Sequence, residues 1–501
     1  MTPVDLTPTP PTDRVSTGVR GLDEILGGGL PRGHVYLVEG ESGAGKTTLG
    51  LQFLIDGRHH GGVALWITLS ETERELRQIA ASHGWSLDGI RICAPLASGR
   101  PFDRDEHYSF FSPADVELDQ IRQTIMQVVD EVRPSHVVVD PFSDIRHLAR
   151  DVLRYRREVL ALREYFTTCE CTVLLMQEMT RGTPGDLQAE ALVHGYLTLH
   201  QDSPEYGGQR RRLRVHKMRG IPFRDGYHDV AIHTGGMMVY PRLIAAGHVD
   251  AASEEQLLSG VPQLDALLGG GIERGTSMLI MGAAGVGKST MTTHYAVSEA
   301  EAGHHGAVFV FDETVRTLRA RGEKLGLPVG RHIESGLLKV EQIDSAEYSA
   351  GQFTHRVMQA VDEGARLVVI DSLSGYVSAM PEERFLATHL HELLTYLGHR
   401  NVVTMMTLAQ HGVVGEQVSS PVDISYLADT VLLLRYFEAA GAIRRAISVV
   451  KKRSGPHEVY VRELSIGASG LRIGEPLRQF QGVLTGLPTF SGDAADLAEH
   501  E

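Results

Sequence analysis

Short, unbroken apolar runs recur along this chain and alternate with longer stretches of helical periodicity. Val35-Tyr36-Leu37-Val38, Ala64-Leu65-Trp66-Ile67, Val137-Val138-Val139 and Val173-Leu174-Leu175-Met176 form one series. Ser277-Met278-Leu279-Ile280-Met281, Val308-Phe309-Val310-Phe311, Leu367-Val368-Val369-Ile370 and Val402-Val403-Thr404-Met405-Met406 form a second. Runs without polar alternation suit strands covered on both faces. Interleaved with helical patterns, they imply parallel βαβ units and helices on both sides of each sheet. The two series repeat in order. The passage Ser16-Thr17-Gly18-Val19-Arg20-Gly21-Leu22-Asp23-Glu24-Ile25-Leu26-Gly27-Gly28-Gly29-Leu30 is echoed by Leu258-Ser259-Gly260-Val261-Pro262-Gln263-Leu264-Asp265-Ala266-Leu267-Leu268-Gly269-Gly270-Gly271-Ile272. Two long copies indicate duplication of a whole domain, not a solenoid. Between Ile244 and Glu255 the periodic pattern gives way to Ala, Gly, Ser and Glu. The expected division is a first domain over 14–245 and a second over 246–488, with 1–13 and 489–501 as flexible ends.

Composition adds exclusions. A chain of 501 residues exceeds what a single core usually holds. Its three cysteines, Cys93, Cys169 and Cys171, supply neither a disulfide framework nor a four-ligand metal site. They read as free thiols in a reducing compartment. No apolar stretch approaches a membrane span and the first residues lack a signal-peptide core, so a cytoplasmic location with no membrane partner is expected. The net charge of −15 makes nucleic acid an unlikely partner. The basic stretch Leu153-Arg154-Tyr155-Arg156-Arg157 reads as a solvated amphipathic face, with Leu153, Val159, Leu160 and Leu162 packed inward.

The strand that opens each series runs into a loop of the form G-x-x-x-x-G-K-[ST]. These are Gly40-Glu41-Ser42-Gly43-Ala44-Gly45-Lys46-Thr47 and Gly282-Ala283-Ala284-Gly285-Val286-Gly287-Lys288-Ser289, 242 residues apart. The glycines let backbone N–H groups turn inward around phosphates, the lysine reaches the β/γ-phosphates and the hydroxyl ligates Mg²⁺. The following helix adds its positive end. ATP and Mg²⁺ are therefore the expected cofactors. Their expected contacts are Ser42, Gly43, Ala44, Gly45, Lys46, Thr47 and Thr48 in one half, and Ala284, Gly285, Val286, Gly287, Lys288, Ser289 and Thr290 in the other.

Asp140 and Asp371 close apolar strands well downstream of each loop, where a carboxylate holds the metal's water shell; with Thr47 and Ser289 they form the expected metal set. Glu71, Asp312 and Glu313 follow the second strand of each copy and are candidates to orient or deprotonate the attacking nucleophile, with Asp312 also near the metal. A solvated helix start, where acids favour the dipole, is the competing explanation. Lys217-Met218-Arg219-Gly220 and Lys451-Lys452-Arg453-Ser454 each follow an arginine-bearing strand-like run. Their recurrence points to a nucleotide contact, made either within the chain or from a neighbouring subunit.

Together the opening Leu-Asp and triple-Gly passages, the two loops, Asp371-Ser372-Leu373-Ser374, the paired basic segments and Asp429-Thr430-Val431-Leu432-Leu433-Leu434 resemble the KaiC family, the double-domain branch of RecA/DnaB-type ATPases. The likeness covers about residues 14 to 487. It implies an α/β fold of two tandem RecA-like P-loop domains, each a mostly parallel sheet flanked by helices. It also implies a homohexamer of stacked rings with ATP at subunit interfaces. Lys217, Met218 and Arg219, and Lys451, Lys452 and Arg453, would contact the adjacent protomer's nucleotide, joined by Arg211 and Arg445; Ser82 would lie on the adenine side.

In clock members of the family the second half also phosphorylates itself. Here the matching segment, Asp423-Ile424-Ser425-Tyr426-Leu427-Ala428-Asp429-Thr430, keeps one serine, Ser425, as the expected phosphoacceptor, with Ser419, Ser420 and Thr430 as fallbacks. The paired acids after the second strand become Ser70-Glu71 in the first half, one carboxylate fewer, and Asp312-Glu313 in the second. The expected activity is ATP hydrolysis plus serine autophosphorylation in the second domain, serving bacterial signalling or timing with a signalling protein as partner. The alternatives are a DNA-stimulated RecA/DnaB-type translocase or recombination ATPase, and a nucleotide-gated scaffold ring without kinase activity.

Overall fold

The structure, a computed structural model, describes residues 13–95, 113–149, 151–179, 187–204, 207–247, 250–251, 253–344, 346–378, 386–410, 425–439, 441–468, 470–484 and 489–490. Most of the two expected flexible ends, together with Ser419 and Ser420, lies outside the described residues. The chain divides into two units, residues 1–242 and 243–501. The division falls slightly before the expected boundary because Leu243 and Ala245 pack into a core of the second unit.

The first unit is built on a nine-stranded sheet. Its strands in chain order are β1 (Val35–Gly40), β2 (Ala64–Thr68), β3 (Ile90–Cys93), β4 (His136–Asp140), β5 (Thr172–Glu178), β6 (Gly195–Asp202), β7 (Arg210–Met218), β8 (Tyr227–His233) and β9 (Gly236–Tyr240). They lie in the order β9-β8-β7-β6-β1-β5-β4-β2-β3. Strands β6, β1, β5, β4, β2 and β3 run parallel, and the β7 to β9 meander continues the sheet in antiparallel fashion. Helices α1 (Lys46–His59), α2 (Glu73–Ser82), α3 (Pro113–Val132), α4 (Ser143–Ala149), α5 (Val152–Thr168) and α6 (Leu187–Leu192) connect the strands.

Alternation along each parallel strand assigns side chains to two cores. Tyr36 and Val38 join Phe53, Trp66 and Leu76 on one face. Val35 and Leu37 join Ile121, Tyr155 and Phe166 on the other. Both faces are covered, as the unbroken apolar runs require. Within α5, Val159 and Leu162 are buried as expected, but Leu153 is 67% exposed. It sits in the helix's first turn, before the face reaches the sheet.

The second unit repeats the plan. Its strands are β10 (Ser277–Gly282), β11 (His305–Val310), β12 (Leu338–Gln342), β13 (Ala365–Asp371), β14 (Val403–Ala409), β15 (Thr430–Ala439), β16 (Ala442–Lys452), β17 (Arg462–Gly467) and β18 (Gly470–Pro476). They lie in the order β12-β11-β13-β14-β10-β15-β16-β17-β18. The helices include α7 (Lys288–Glu301), α8 (Val315–Lys324), α9 (Ala350–Asp362), α10 (Leu373–Ser378) and α11 (Leu386–His399). Met278 and Ile280 face one core while Leu279 faces the other. Each half is thus a mostly parallel sheet between helices, with its glycine loop at the carboxyl end of the central strand, where open α/β sheets bind ligands.

Candidate functional site

Each loop is shaped by glycines with positive φ. Gly45 (φ 105°) and Gly287 (φ 118°) cap α1 and α7. A Cβ on Gly45 would meet Ile232 Cδ1 at 2.6 Å, and one on Gly287 would meet Ile466 Cδ1 at 2.4 Å. Both backbone angle and packing therefore demand glycine. The lysines fold over their own loops: Lys46 Nζ donates to the carbonyls of Gly40 (2.8 Å) and Glu41 (3.0 Å), and Lys288 Nζ to those of Gly282 (2.9 Å) and Ala283 (2.8 Å). Burial pulls both amines below the usual lysine value while nearby carboxylates oppose it. A buried amine short of counter-charge suits polyphosphate.

In the first half Thr47 Oγ1 donates to Asp140 Oδ2 at 3.0 Å. Hydroxyl and strand-end carboxylate converge at the mouth of the loop, a hard-oxygen pair that fits Mg²⁺ completed by phosphate and water. In the second half Asp371 Oδ1 accepts from Thr407 Oγ1 at 2.5 Å, and Ser289 occupies the second residue of α7. Among the described residues no group of three His, Cys, Asp or Glu side chains forms a metal cage.

The acids beside the two loops differ in their partners. Burial, then Asp140 and Glu75, push Glu71 up to about 7, and its buried Oε2 has no hydrogen-bond partner. Burial raises Asp140 to about 6. In the second half Arg321 grips Glu313 with two bonds, 2.5 and 2.9 Å. Asp312 accepts a short bond from the Ser372 hydroxyl, whose oxygen in turn accepts from Gly375 N–H at 3.1 Å. Glu178, at the end of β5 level with Gly40, also bears on Lys46 and Asp140. Sequence reasoning passed over Glu178; its strand-end position, like that of Asp140, was the available signal. A buried carboxylate, Glu39, accepts from Gln177 (2.9 Å) and Tyr196 (2.6 Å) one residue before the first loop; Met281 takes that position in the second.

The basic residues divide into two groups. Arg211 pairs with Gln201, and Arg445 with Tyr436, at matching register. Arg211 Nε donates to Gly43 O of its own loop at 3.2 Å, so it stands beside that loop, apart from Lys217 and Arg219. Arg445 stacks over Tyr436 at 5.7 Å, and Tyr436 Oη lies 3.2 Å from the Cβ position of Gly285.

Lys217 and Lys451 stand near the opposite end of their sheets. Lys217 pairs with Tyr196 close to the start of β6, and its Nζ donates to Glu190 O (2.7 Å) and Val193 O (2.9 Å). Arg219 donates to Ala191 O at 3.1 Å. Lys451 Nζ donates to Ser425 O (3.1 Å) and Ala428 O (2.6 Å), and Arg453 to Tyr426 O (2.7 Å). Strand register equates Tyr196 with Val431, hence Glu190 with Ser425. The first half therefore has a carboxylate, Glu190, where the second has a hydroxyl, Ser425.

Two expected nucleotide contacts belong elsewhere. Lys452 is 1% exposed in its side chain, pairs with Glu273 at 3.0 Å and donates to Leu268 and Gly271 carbonyls. Strand alternation turns it away from Lys451 and Arg453. Met218, its counterpart, has its side chain in the core against Gly195, leaving only main chain to contact a ligand. Ser82 ends α2 and donates to Ile79 O at 2.7 Å.

A family model described as ATPase: KaiC matches residues 15–244 and, a second time, 257–478. Relatives include the circadian clock oscillator protein KaiC of Acaryochloris marina, 26% identical over 95% of this chain and 91% of that protein. Circadian clock protein KaiC3 of Synechocystis is 26% identical over 96% of each. No helix among the described residues is long and apolar enough to cross a membrane. Two glycine loops on central strands, two strand-end aspartates and a family match spanning both halves lead to one conclusion: this chain is a tandem-domain ATPase of the KaiC family.

Proposed function

We propose that the chain assembles as a homohexameric ring in which Mg²⁺-ATP binds between subunits, and that the two halves use it differently. The observation that carries this reading is the separation within each half between the glycine loop and the Lys-x-Arg segment. Lys217 and Arg219, like Lys451 and Arg453, lie near the strand ends opposite their own loops, facing outward to a neighbour's γ-phosphate. Thr47 and Asp140, or Ser289 and Asp371, would hold a Mg²⁺ ion, which would supply charge screening for the phosphates. Lys46 or Lys288 leaves its loop carbonyls for the β/γ-phosphates.

In the first half Glu71 takes a proton from water as its oxygen attacks the γ-phosphorus in line, and the bond to the ADP oxygen breaks. In the second half Ser425 Oγ is the nucleophile toward the neighbour's ATP: its proton passes to Asp312 of that neighbour, the O–P bond forms and ADP leaves. A cytoplasmic signalling role with a protein partner fits the acidic charge, which disfavours DNA-driven translocation. The Glu313–Arg321 and Asp312–Ser372 bonds favour one second reading, a second ring that mainly senses nucleotide and gates assembly.

Intact-mass spectrometry after ATP incubation separates these. The expected result is a species heavier by about 80 Da, one phosphoryl group, that Ser425→Ala removes. ATP turnover with no added mass would leave an ATPase without kinase activity. A particle that stays monomeric by light scattering in saturating Mg²⁺-ATP would overturn the ring.

A further inference from the structure

The two halves carry a carboxylate on opposite members of the same strand-end and helix pair. Thr68 pairs with Asp140, and Val310 with Asp371. Next along, Leu69 N–H donates to Asp140 O (3.1 Å) and Phe311 N–H to Asp371 O (2.8 Å). Ser70 therefore corresponds to Asp312. On the facing helix, four residues past each strand-end aspartate, Asp144 of α4 corresponds to Gly375 of α10.

Gly375 faces the Asp312 side chain. A Cβ there would lie 2.8 Å from Asp312 Oδ1 and 2.6 Å from Phe311 Cβ. Helix and strand end thus share room for one side chain. In the second half the strand end fills it with a carboxylate and the helix yields with glycine. In the first half the strand end carries small Ser70 and the helix carries Asp144, which is half-buried and within the field of Asp140 and Glu178.

We infer that Asp144 supplies the carboxylate that the Ser70-Glu71 pair lacks, as a positioning residue that holds water ligands of the nucleotide's Mg²⁺ on the α4 side of the first site. This rests on the reading of that site as a Mg²⁺-ATP site. The first half is then not poorer by one acid; the acid has moved across the cleft. The exchange also explains why Ser70 and Asp144 occur together, and Asp312 and Gly375 together. A swap of either residue alone would leave the space with two carboxylates or none.

The test uses the full-length chain with Lys288→Ala to silence the second loop, and titrates Mn²⁺ in the presence of an ATP analogue, reading free Mn²⁺ by electron paramagnetic resonance. Asp144→Asn, which keeps the side chain's shape, is expected to raise the Mn²⁺ needed for half-saturation about 10-fold, the usual cost of losing an outer-shell partner. Asp144→Gly is expected to do the same, and Ser70→Asp added to Asp144→Gly to restore most of the loss by recreating the second half's arrangement. Unchanged Mn²⁺ dependence in Asp144→Asn overturns the proposal, as does a double variant no better than Asp144→Gly alone. Nucleotide-dependent Mn²⁺ binding that survives Lys46→Ala overturns the reading of the site itself, and the proposal with it.

Discussion

The two nucleotide sites share a frame and differ in how their acids are held. In the first, Glu71 is buried, raised to about 7 and has an oxygen without a hydrogen-bond partner. In the second, Glu313 is locked by Arg321 and Asp312 by Ser372. A carboxylate oxygen without a hydrogen-bond partner among the described residues is open to a water molecule; one already bonded is fixed in place. Counting carboxylates in the sequence makes the first half the poorer one. Their surroundings favour it as the hydrolase under the reading proposed above, and leave the second half with an aspartate held by its neighbours.

The sharpest way to break this comparison is to remove the acids one at a time. Glu71→Gln is expected to lower first-site turnover about 1,000-fold, within the range for loss of a general base, while Glu313→Gln changes second-site turnover only a few-fold. Equal losses in single-turnover assays would erase the distinction. Lys46→Ala and Lys288→Ala are next: each is expected to weaken nucleotide affinity in its own half about 100-fold, as loss of charged hydrogen bonds costs. Titration calorimetry that still finds two tight sites in either variant would remove the basis for both.

Ser372→Ala tests the aim of Asp312. It is expected to slow only the second site, about 3- to 10-fold for a hydrogen bond of about 1 kcal/mol, with Ser372→Thr restoring the rate. The smallest effect concerns pH. Burial raises the folded-state values of Glu71 and Asp140, so the folded chain binds those protons more tightly than the unfolded one. The stability this contributes is complete below ordinary carboxylate values and is lost as pH rises through about 6 to about 7. The nucleotide-free protein is therefore expected to melt lower at pH 8 than at pH 5, and Glu71→Gln to recover about 2–4 °C at pH 8 and far less at pH 5. A variant that melts identically to its parent at pH 8 would show that Glu71 is charged without penalty.

Much of the fold was legible because the apolar runs carry it: parallel strands covered on both faces leave an unbroken signature, and duplication let each half check the other. The glycine loops and strand-end aspartates were legible for the same reason, being fixed to those strands. What escaped depends on angles that spacing does not encode. The role inferred for Asp144 depends on how α4 packs against the sheet, which spacing does not encode. Arg211 reaches its own loop because the β6–β7 register brings it beside Gln201, a pairing that spacing along the chain does not encode. Lys452 was a different kind of miss. Period-two alternation turns it opposite to Lys451 and Arg453, and Met218 at the matching position already marked that side as interior. Leu153 shows the limit of helical periodicity, which places a residue on a face without saying whether the sheet extends that far.

The equivalence of Glu190 and Ser425 has a consequence in terms of information. Both main-chain carbonyls are held by the same lysine position, Lys217 in one half and Lys451 in the other. At that address the first half carries a carboxylate, whereas the second carries a hydroxyl that the phosphorylation proposed above would charge. Under the proposed reading one half would keep a fixed reference and the other a rewritable mark, so that the contrast between them, and not either alone, would carry the information.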